Sequence, residues 1–397
     1  MTASASRPSL PLARGNPLEP AGELARLRAE EPVARVISST GEPAWLVTRY
    51  DDARAVLGDA RFRLALPGAK SENGGAGSSD SLFQDPPGHT RLRRLVATAF
   101  TPRRAAGLRE RTEEVAAGLV AEMAAKRQPV DVTEALCLPL PITVIGELLG
   151  VPADERDSFR AWSGALLSLP VPGAAAGRLA HPVAGLAGQV GRLIARKREH
   201  PGGDLLSALV AVRDSGADRL SEAELTMMAI TLITAGYVTT SAAAGVGIVL
   251  LSRQDGLRRL AEHPALVPSA VEEVLRFQAA GGDLARRARE DVDVGGVRIR
   301  AGEKVVVSVA AANRDPRRFA DPGHFDVARS DNAHLTFGHG IHHCLGAALA
   351  RMELQVIFTT LAARLPGLCL AIPEDGLVWR RSELFGDEWL QAVPVTW

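Results

Sequence analysis

The densest chemistry in the chain is one stretch, Phe337-Gly338-His339-Gly340-Ile341-His342-His343-Cys344-Leu345-Gly346. Glycines at this density let a backbone approach a flat object closely, since they add no side chain and accept dihedral angles closed to other residues. Cys344 stands just ahead of a segment with helical apolar spacing, Leu345–Arg364. A thiol there is acidified by the helix dipole and the free N–H groups of the first turn. The resulting thiolate can bind iron axially and push electron density onto it. A lone cysteine beside a turn is more often a buried structural residue, so the whole pattern carries the reading. Cys137 and Cys369 have no such surroundings, and the three cysteines show no paired Cys/His spacing. They form neither a disulfide framework nor a zinc site and suit a reducing cytoplasm.

The elements that must position this loop read as mostly helical. Helical patterns cover Arg91–Ala99, Ala105–Lys126, Leu186–Glu199, Glu222–Arg253, Pro268–Phe277 and Leu345–Arg364. The Glu222–Arg253 pattern, roughly 48 Å long at 1.5 Å per residue, would cross a whole domain. Ser221 and Glu224 give it an S-x-x-E capping box, and Ala235-Gly236 followed by Thr239-Thr240 is a candidate kink. Strand signals are short: Val33–Ile37, Ala44–Thr48, Lys304–Val309, and Val292–Val294 with Val297–Ile299 joined by Gly295-Gly296, a hairpin turn pair. Pro67–Ser81, rich in Gly and Ser, and Leu169–Pro182 read as mobile surface loops of the kind that act as lids. Met1–Pro20 reads as a short disordered arm without an apolar signal core, and 21–397 as a single domain. Acids and bases balance at 46 each, which gives no global electrostatic case for nucleic acid or an anionic membrane. No G-x-G-x-x-G in a βαβ setting marks a nicotinamide or flavin site.

The loop F-G-x-G-x-H-x-C-x-G resembles the haem-binding loop of soluble bacterial cytochromes P450, particularly actinobacterial members that act in natural-product biosynthesis. Further stretches match in the family's order: Asp85-Pro-Pro-Gly-His89-Thr-Arg-Leu-Arg93, Ala235-Gly236-Tyr237-Val238-Thr239-Thr240, Glu273-Val-Leu-Arg276, Ala312-Asn-Arg-Asp315-Pro and Phe319-Ala-Asp321-Pro. The resemblance covers about residue 20 to the C-terminus and implies the mainly α cytochrome P450 fold with a minor β part. It implies haem b as cofactor, Cys344 as iron ligand, and Phe337, Gly338 and Gly346 as parts of its loop. Haem carries two carboxylates that need cationic partners. His89 and Arg93, one helical turn apart on a shared face, match that role with Arg286 and His342. Arg287 competes with Arg286 on residue type, and family spacing favours Arg286. Glu273 and Arg276 are expected to be structural, tied to the following segment through Arg314 or a neighbour.

The resemblance also implies that Gly236 opens room over the iron, and that Thr239, beside Thr240, hydrogen-bonds dioxygen or a proton-carrying water. Here the chain departs from the family: Val238 stands where an acid usually relays protons inward. The expected reaction is oxidation of a small, largely apolar, natural-product-like molecule, with dioxygen and two electrons from a ferredoxin and its reductase. Val238 raises an alternative, oxidative C–C or C–N coupling of an aromatic substrate without oxygen insertion. A non-catalytic haem-bearing recruitment module is a third reading. Arg94, Arg103, Arg104, Arg317, Arg318 and Arg351 offer a basic face for an acidic electron carrier. Pocket walls are expected at Leu82, Phe83, Leu169, Leu232, Tyr237, Val238, Gln278–Leu284, Leu384 and Phe385.

Overall fold

In the computed structural model, residues 7–16, 18–64, 81–167, 176–215, 220–253, 255–278, 282–381 and 388–397 are described, with side chains outside 162–183, 381 and 388. In chain order they form α1 (Gly22–Glu30), β1 (Val33–Ile37), β2 (Pro43–Val47), α2 (Tyr50–Gly58), β3 (Phe62–Leu64), α3 (Gly88–Ala97), α4 (Pro102–Ala124), β4 (Val130–Asp131), α5 (Pro139–Leu149), α6 (Arg156–Leu167), α7 (Ala176–Glu199), α8 (Leu205–Asp214), α9 (Glu222–Ser252), α10 (Gly256–Glu262), α11 (Val267–Gln278), β5 (Leu284–Ala288), β6 (Val292–Val294), β7 (Val297–Ile299), β8 (Lys304–Val307), α12 (Val309–Ala312), α13 (Ala347–Arg364), β9 (Cys369–Leu370), β10 (Trp379–Arg381), β11 (Glu388–Leu390) and β12 (Pro394–Thr396). Helix outweighs strand, 56% to 12%, as the sequence patterns require. Two compact units divide the chain. One holds Met1–Ala69 and Glu272–Cys344, the other Lys70–Val271 and Leu345–Trp397.

The first unit is built on a sheet of order β1-β2-β8-β5-β3, antiparallel except for the parallel β2–β8 pair. Its strands alternate between two cores, as a period of two demands. Val33, Val47, Val305 and Val307 pack with Tyr50, Ala53, Val56 and Leu57 of α2. Ala34, Val36, Leu46 and Val306 pack with Leu24 and Leu27 of α1. The β6–β7 hairpin turns at Gly295 and Gly296, both at positive φ (55° and 81°), which a two-residue turn of this hand needs. The opening segment differs from the disordered arm expected of it. From Pro8 onward it lies against the sheet, with Leu10 N–H donating to Ile37 O and Ile37 N–H to Pro8 O (2.8 and 2.9 Å). Leu10 and Leu18 are buried, and burial of apolar side chains is what a run of polar and proline residues did not advertise.

The second unit surrounds α9. The capping box is present, with Ser221 and Glu224 satisfying each other's backbone N–H. The helix packs against α5, α6, α7, α8 and α13, and α13 in turn against α4 and α10. By length and composition α9 could cross a membrane, but 67% of its apolar window is buried inside the protein, which makes it a core helix. It runs unbroken in helical geometry through the expected kink. Several helices escaped the pattern reading. α5 carries Pro139 and Pro141 in its first turn, where proline is tolerated because the N–H groups there have no helical acceptor anyway. α7 runs through Pro182, where the sequence suggests a break. Most of the two expected lid loops lies outside the described residues.

Candidate active site

In the first unit the loop around Cys344 is closed on itself. Cys344 N–H donates to Phe337 O at 2.8 Å. Gly338 and Gly340 both take positive φ (70° and 74°). A side chain at Gly340 would bring its Cβ to 2.7 Å from Leu57 O and 3.0 Å from Gly58 Cα. The loop therefore lies backbone to backbone on the end of α2, an approach only glycine permits. At Gly338 there is room, with Leu284 Cδ1 and His342 O at 3.9 and 3.8 Å from a Cβ, so its requirement is conformational. The Cys344 thiol is exposed, three residues ahead of α13, and Gly346 is that helix's N-cap. Cys137 is enclosed, and burial pushes its thiol well above the usual range. Cys369 is exposed on β9, remote in sequence from any glycine loop. The Phe337 ring packs near His334 and His343, and His342 ends a single 3-10 turn.

Strand β5 sends the two adjacent arginines to opposite faces. Arg286 is buried and shares a strand face with Leu284, the side chain that reaches the loop at Gly338. Arg287 points to the other face and is engaged with Glu42 (3.2 Å) and Gly302 O (2.7 Å).

Behind the loop, Glu273 and Arg276 are both fully enclosed. Two Arg276 N–H groups donate to the two Glu273 oxygens at 2.8 Å, and others reach Asn313 O, Pro322 O and His324 O. Glu273 also accepts from Asp326 N–H, Arg329 and Asn332 Nδ2. Burial pushes the Glu273 carboxyl up, but Arg276, the Asp326 amide and Arg329 outweigh it and hold it below the usual range. The expected third member, Arg314, has a different job. It pairs with Glu19 at 3.2 Å, donates to Phe277 O and stacks 3.4 Å over the Phe277 ring. The neighbour that completes the pair is Arg329, whose guanidinium also donates to Ala320 O, Asp321 O and His324 O.

In the second unit α3 begins at Gly88, so His89 and Arg93 lie on one helix and one face. His89 is buried. Burial first, then the Arg93 charge, hold its imidazole below the ordinary value, with Asp85 opposing. On α9, Ala235 and Thr239 are exposed within a helix whose neighbouring positions are largely buried. The Thr239 hydroxyl donates to Ala235 O at 2.9 Å, and Leu232, seven residues before Thr239, shares that face. Two other members of the motif face elsewhere. A Cβ on Gly236 would meet Ile145 Cγ1 of α5 at 3.0 Å, so this glycine serves the close packing of α5 on α9. Tyr237 lies 200° round the helix from both Ala235 and Thr239, is buried, and has Arg160 and Glu134 as its charged neighbours. It is therefore on the wrong face to wall a pocket shared with Thr239. Val238 is half-buried and Thr240 buried. Leu82 is half-buried and Phe83 is 45% exposed. Leu169, Leu384 and Phe385 lie outside the described residues.

These residues fit an iron porphyrin. Among the described residues no group of three His, Cys, Asp or Glu side chains could hold a bare metal ion. A single accessible thiol can ligate iron whose other ligands come with the metal. The glycine conformations keep side chains off the loop beside that thiol, Leu284 and Phe337 supply apolar contact, and the candidate anchors His89, Arg93, Arg286 and His342 are of the type carboxylates require. Sequence reasoning missed Arg329, Asn332 and Ile145. Nothing in a linear pattern marks them, since each acts through a residue distant in sequence.

The comparisons agree with this geometry. Residues 260–365 match the family model described as Cytochrome P450. The chain is 44% identical over 381 residues to nocardicin C N-oxygenase of Nocardia uniformis subsp. tsuyamanensis, covering 94% of both chains. It is 47% identical over 388 residues to mycinamicin IV hydroxylase/epoxidase of Micromonospora griseorubida, covering 95% of both. The solved structure of SgvP, a putative thioether synthase of griseoviridin tailoring, superposes with a TM-score of 0.91 at 43% identity, over 99% of this chain and 100% of that one. The two curated names describe oxygen-transferring enzymes and lend no support to C–C or C–N coupling or to a non-catalytic haem carrier. The chain belongs to the cytochrome P450 family, whose members bind haem b through a cysteine thiolate, and it is an enzyme of the monooxygenase type.

Proposed function

We propose that this enzyme inserts oxygen into a small, largely apolar natural product, with Cys344 as the iron ligand and a ferredoxin-type protein, served by its own reductase, as electron donor in the cytoplasm. The observation that carries the reading is the exposed Cys344 thiol in a self-closed glycine loop, with Arg286 and Leu284 on the strand face that meets it. Haem, when bound, supplies the iron at which dioxygen is reduced and split with two electrons. The chain's own residues do the rest. Arg286, His342, His89 and Arg93 anchor the two carboxylates, each charge-assisted contact contributing roughly 1.5–3 kcal/mol. Ala235, exposed beside Thr239, offers substrate an apolar contact on α9. Thr239, its hydroxyl lodged on Ala235 O in this state, can turn that hydrogen bond toward oxygen or water and hold a proton at its Oγ1.

Val238 cannot hold or pass a proton, so the supply to Thr239 comes from water or from an N–H or O–H group on the substrate. The curated relative named an N-oxygenase fits a substrate that brings such a group close to the reacting oxygen. Exposed Arg94, Arg103, Arg104 and Arg317 are the basic residues offered to an acidic electron carrier. Arg318 contributes less, being paired with Asp331 at 2.6 Å. Product analysis with labelled dioxygen tests the proposal. One labelled oxygen atom should appear in the product of a natural-product panel member that shifts the haem spectrum. Turnover that yields oxidised product without label, across every such member, would overturn it.

A further inference from the structure

Helix α3 carries two of the proposed haem anchors, yet it is poorly secured by its own sequence. It has only ten residues, no side-chain cap and no acidic residue in its first turn. Isolated helices this short are marginal in water, so its rotation about its own axis must be set by tertiary contacts. Arg91 lies between His89 and Arg93 in sequence and about 200° round the helix from His89. Its guanidinium forks onto both oxygens of Glu224, with Nη1 at 3.3 Å from Oε2 and Nη2 close against Oε1. Glu224 is held rigidly in its turn. Its Oε2 accepts the Ser221 N–H at 2.8 Å, and its own N–H is capped by Ser221 Oγ. Burial raises its carboxyl, but Arg91 and the Ser221 amide outweigh that and keep it ionised.

We propose that Arg91 and Glu224 form a positioning pair that fixes the rotation of α3 on the capped start of α9, so that His89 and Arg93 present to the haem carboxylates. The pair acts through α3 and supplies no anchor of its own. The pair rests on the reading of His89 and Arg93 as carboxylate anchors. Arg91 is 41% exposed and Glu224 9%, and an ion pair open to water on one side stabilises a folded protein modestly. The consequence of breaking it is therefore specific: the fold persists while the anchors lose their aim.

The experiment uses holoprotein and follows haem transfer to excess apomyoglobin. Arg91→Ala and Glu224→Gln should each speed release about tenfold, of the order of one charge-assisted contact. Glutamine still serves the capping box, so Glu224→Gln removes the charge and leaves the helix start intact. The double variant should release haem no faster than either single, and Arg91→Lys should recover part of the loss. Arg198→Ala breaks a more exposed pair at the same helix start, with Glu222 at 2.6 Å, and should release haem at the wild-type rate. Equal acceleration by Arg198→Ala would reduce the effect to general support of α9 and overturn the proposal. So would wild-type release in Arg91→Ala while Arg93→Ala releases quickly. Wild-type release in Arg93→Ala as well would locate the failure in the anchor assignment itself.

Discussion

Replacing Glu273 by glutamine takes one negative charge from an ion pair that has no exposure to solvent. In the native protein the carboxylate receives two bonds from Arg276 at 2.8 Å, one from the Asp326 amide at 2.9 Å, one from Asn332 at 2.9 Å, and contacts from Arg329 at 3.1 and 3.2 Å. A carboxamide keeps the volume and one acceptor, but turns an NH2 toward Arg276 or Arg329 and leaves both cations without a counter-charge. Removing one partner of a buried pair costs about 3–5 kcal/mol, and the retained acceptor argues for the lower end. At about 2.1 cal/mol/K of unfolding entropy per residue, a chain of 397 residues shifts by about 1.2 °C per kcal/mol, so the melting temperature should fall by roughly 4–6 °C. The pH dependence gives a second signature. The Glu273 carboxyl is held below its ordinary value in the fold. Its contribution is therefore present above about pH 4.3, the unfolded value, and is lost as pH falls through the folded value. The wild type should lose stability steeply in that acid window, and the variant should lose less. Urea unfolding followed by circular dichroism between pH 3 and pH 7 measures both. A Glu273→Gln cost below about 1 kcal/mol, within the range of an ordinary surface substitution, would refute the reasoning. The backbone carbonyls around Arg276 would then suffice.

Gly236→Ala should destabilise the protein by about 1–3 kcal/mol through overpacking against Ile145. In a urea double-mutant cycle, Ile145→Ala should offset part of that loss, which a role over the iron would not produce. Gly340→Ala places a side chain at positive φ and against the Leu57 carbonyl, and haem content after gel filtration should fall well below wild type. The His89 imidazole, held low by burial and Arg93, should titrate below about 6.5 in apoprotein NMR spectra, and Arg93→Gln should raise it. Because the fold favours neutral His89, the associated stability is complete above that ordinary value and declines as pH falls from it through the folded value.

The cysteine loop, the Gly295-Gly296 hairpin and the Ser221–Glu224 capping box were legible in sequence because each is a local device, in which neighbouring residues specify their own geometry. What sequence did not yield was non-local. The family resemblance placed Thr239, Gly236 and Tyr237 in one motif, yet only Thr239 shares the exposed strip with Ala235. Gly236 is claimed by Ile145 and Tyr237 by the opposite face. The residue tying the Glu273–Arg276 pair to the following segment was expected at Arg314 or a neighbour and is Arg329, since a chain that folds back on itself sets such contacts by tertiary packing. Met1–Pro20 read as an arm because it is polar and proline-bearing, but from Pro8 onward its described residues lie on the sheet with Leu10 and Leu18 buried.

The central claim is that Cys344 presents a thiolate to haem iron. The direct test is the absorbance of the reduced protein under carbon monoxide. Wild type, Cys137→Ser and Cys369→Ser should all show the red-shifted band of a thiolate-ligated haem, and Cys344→Ser should lose it. Persistence of that band in Cys344→Ser, or its loss in either of the other variants while haem is retained, would contradict the account.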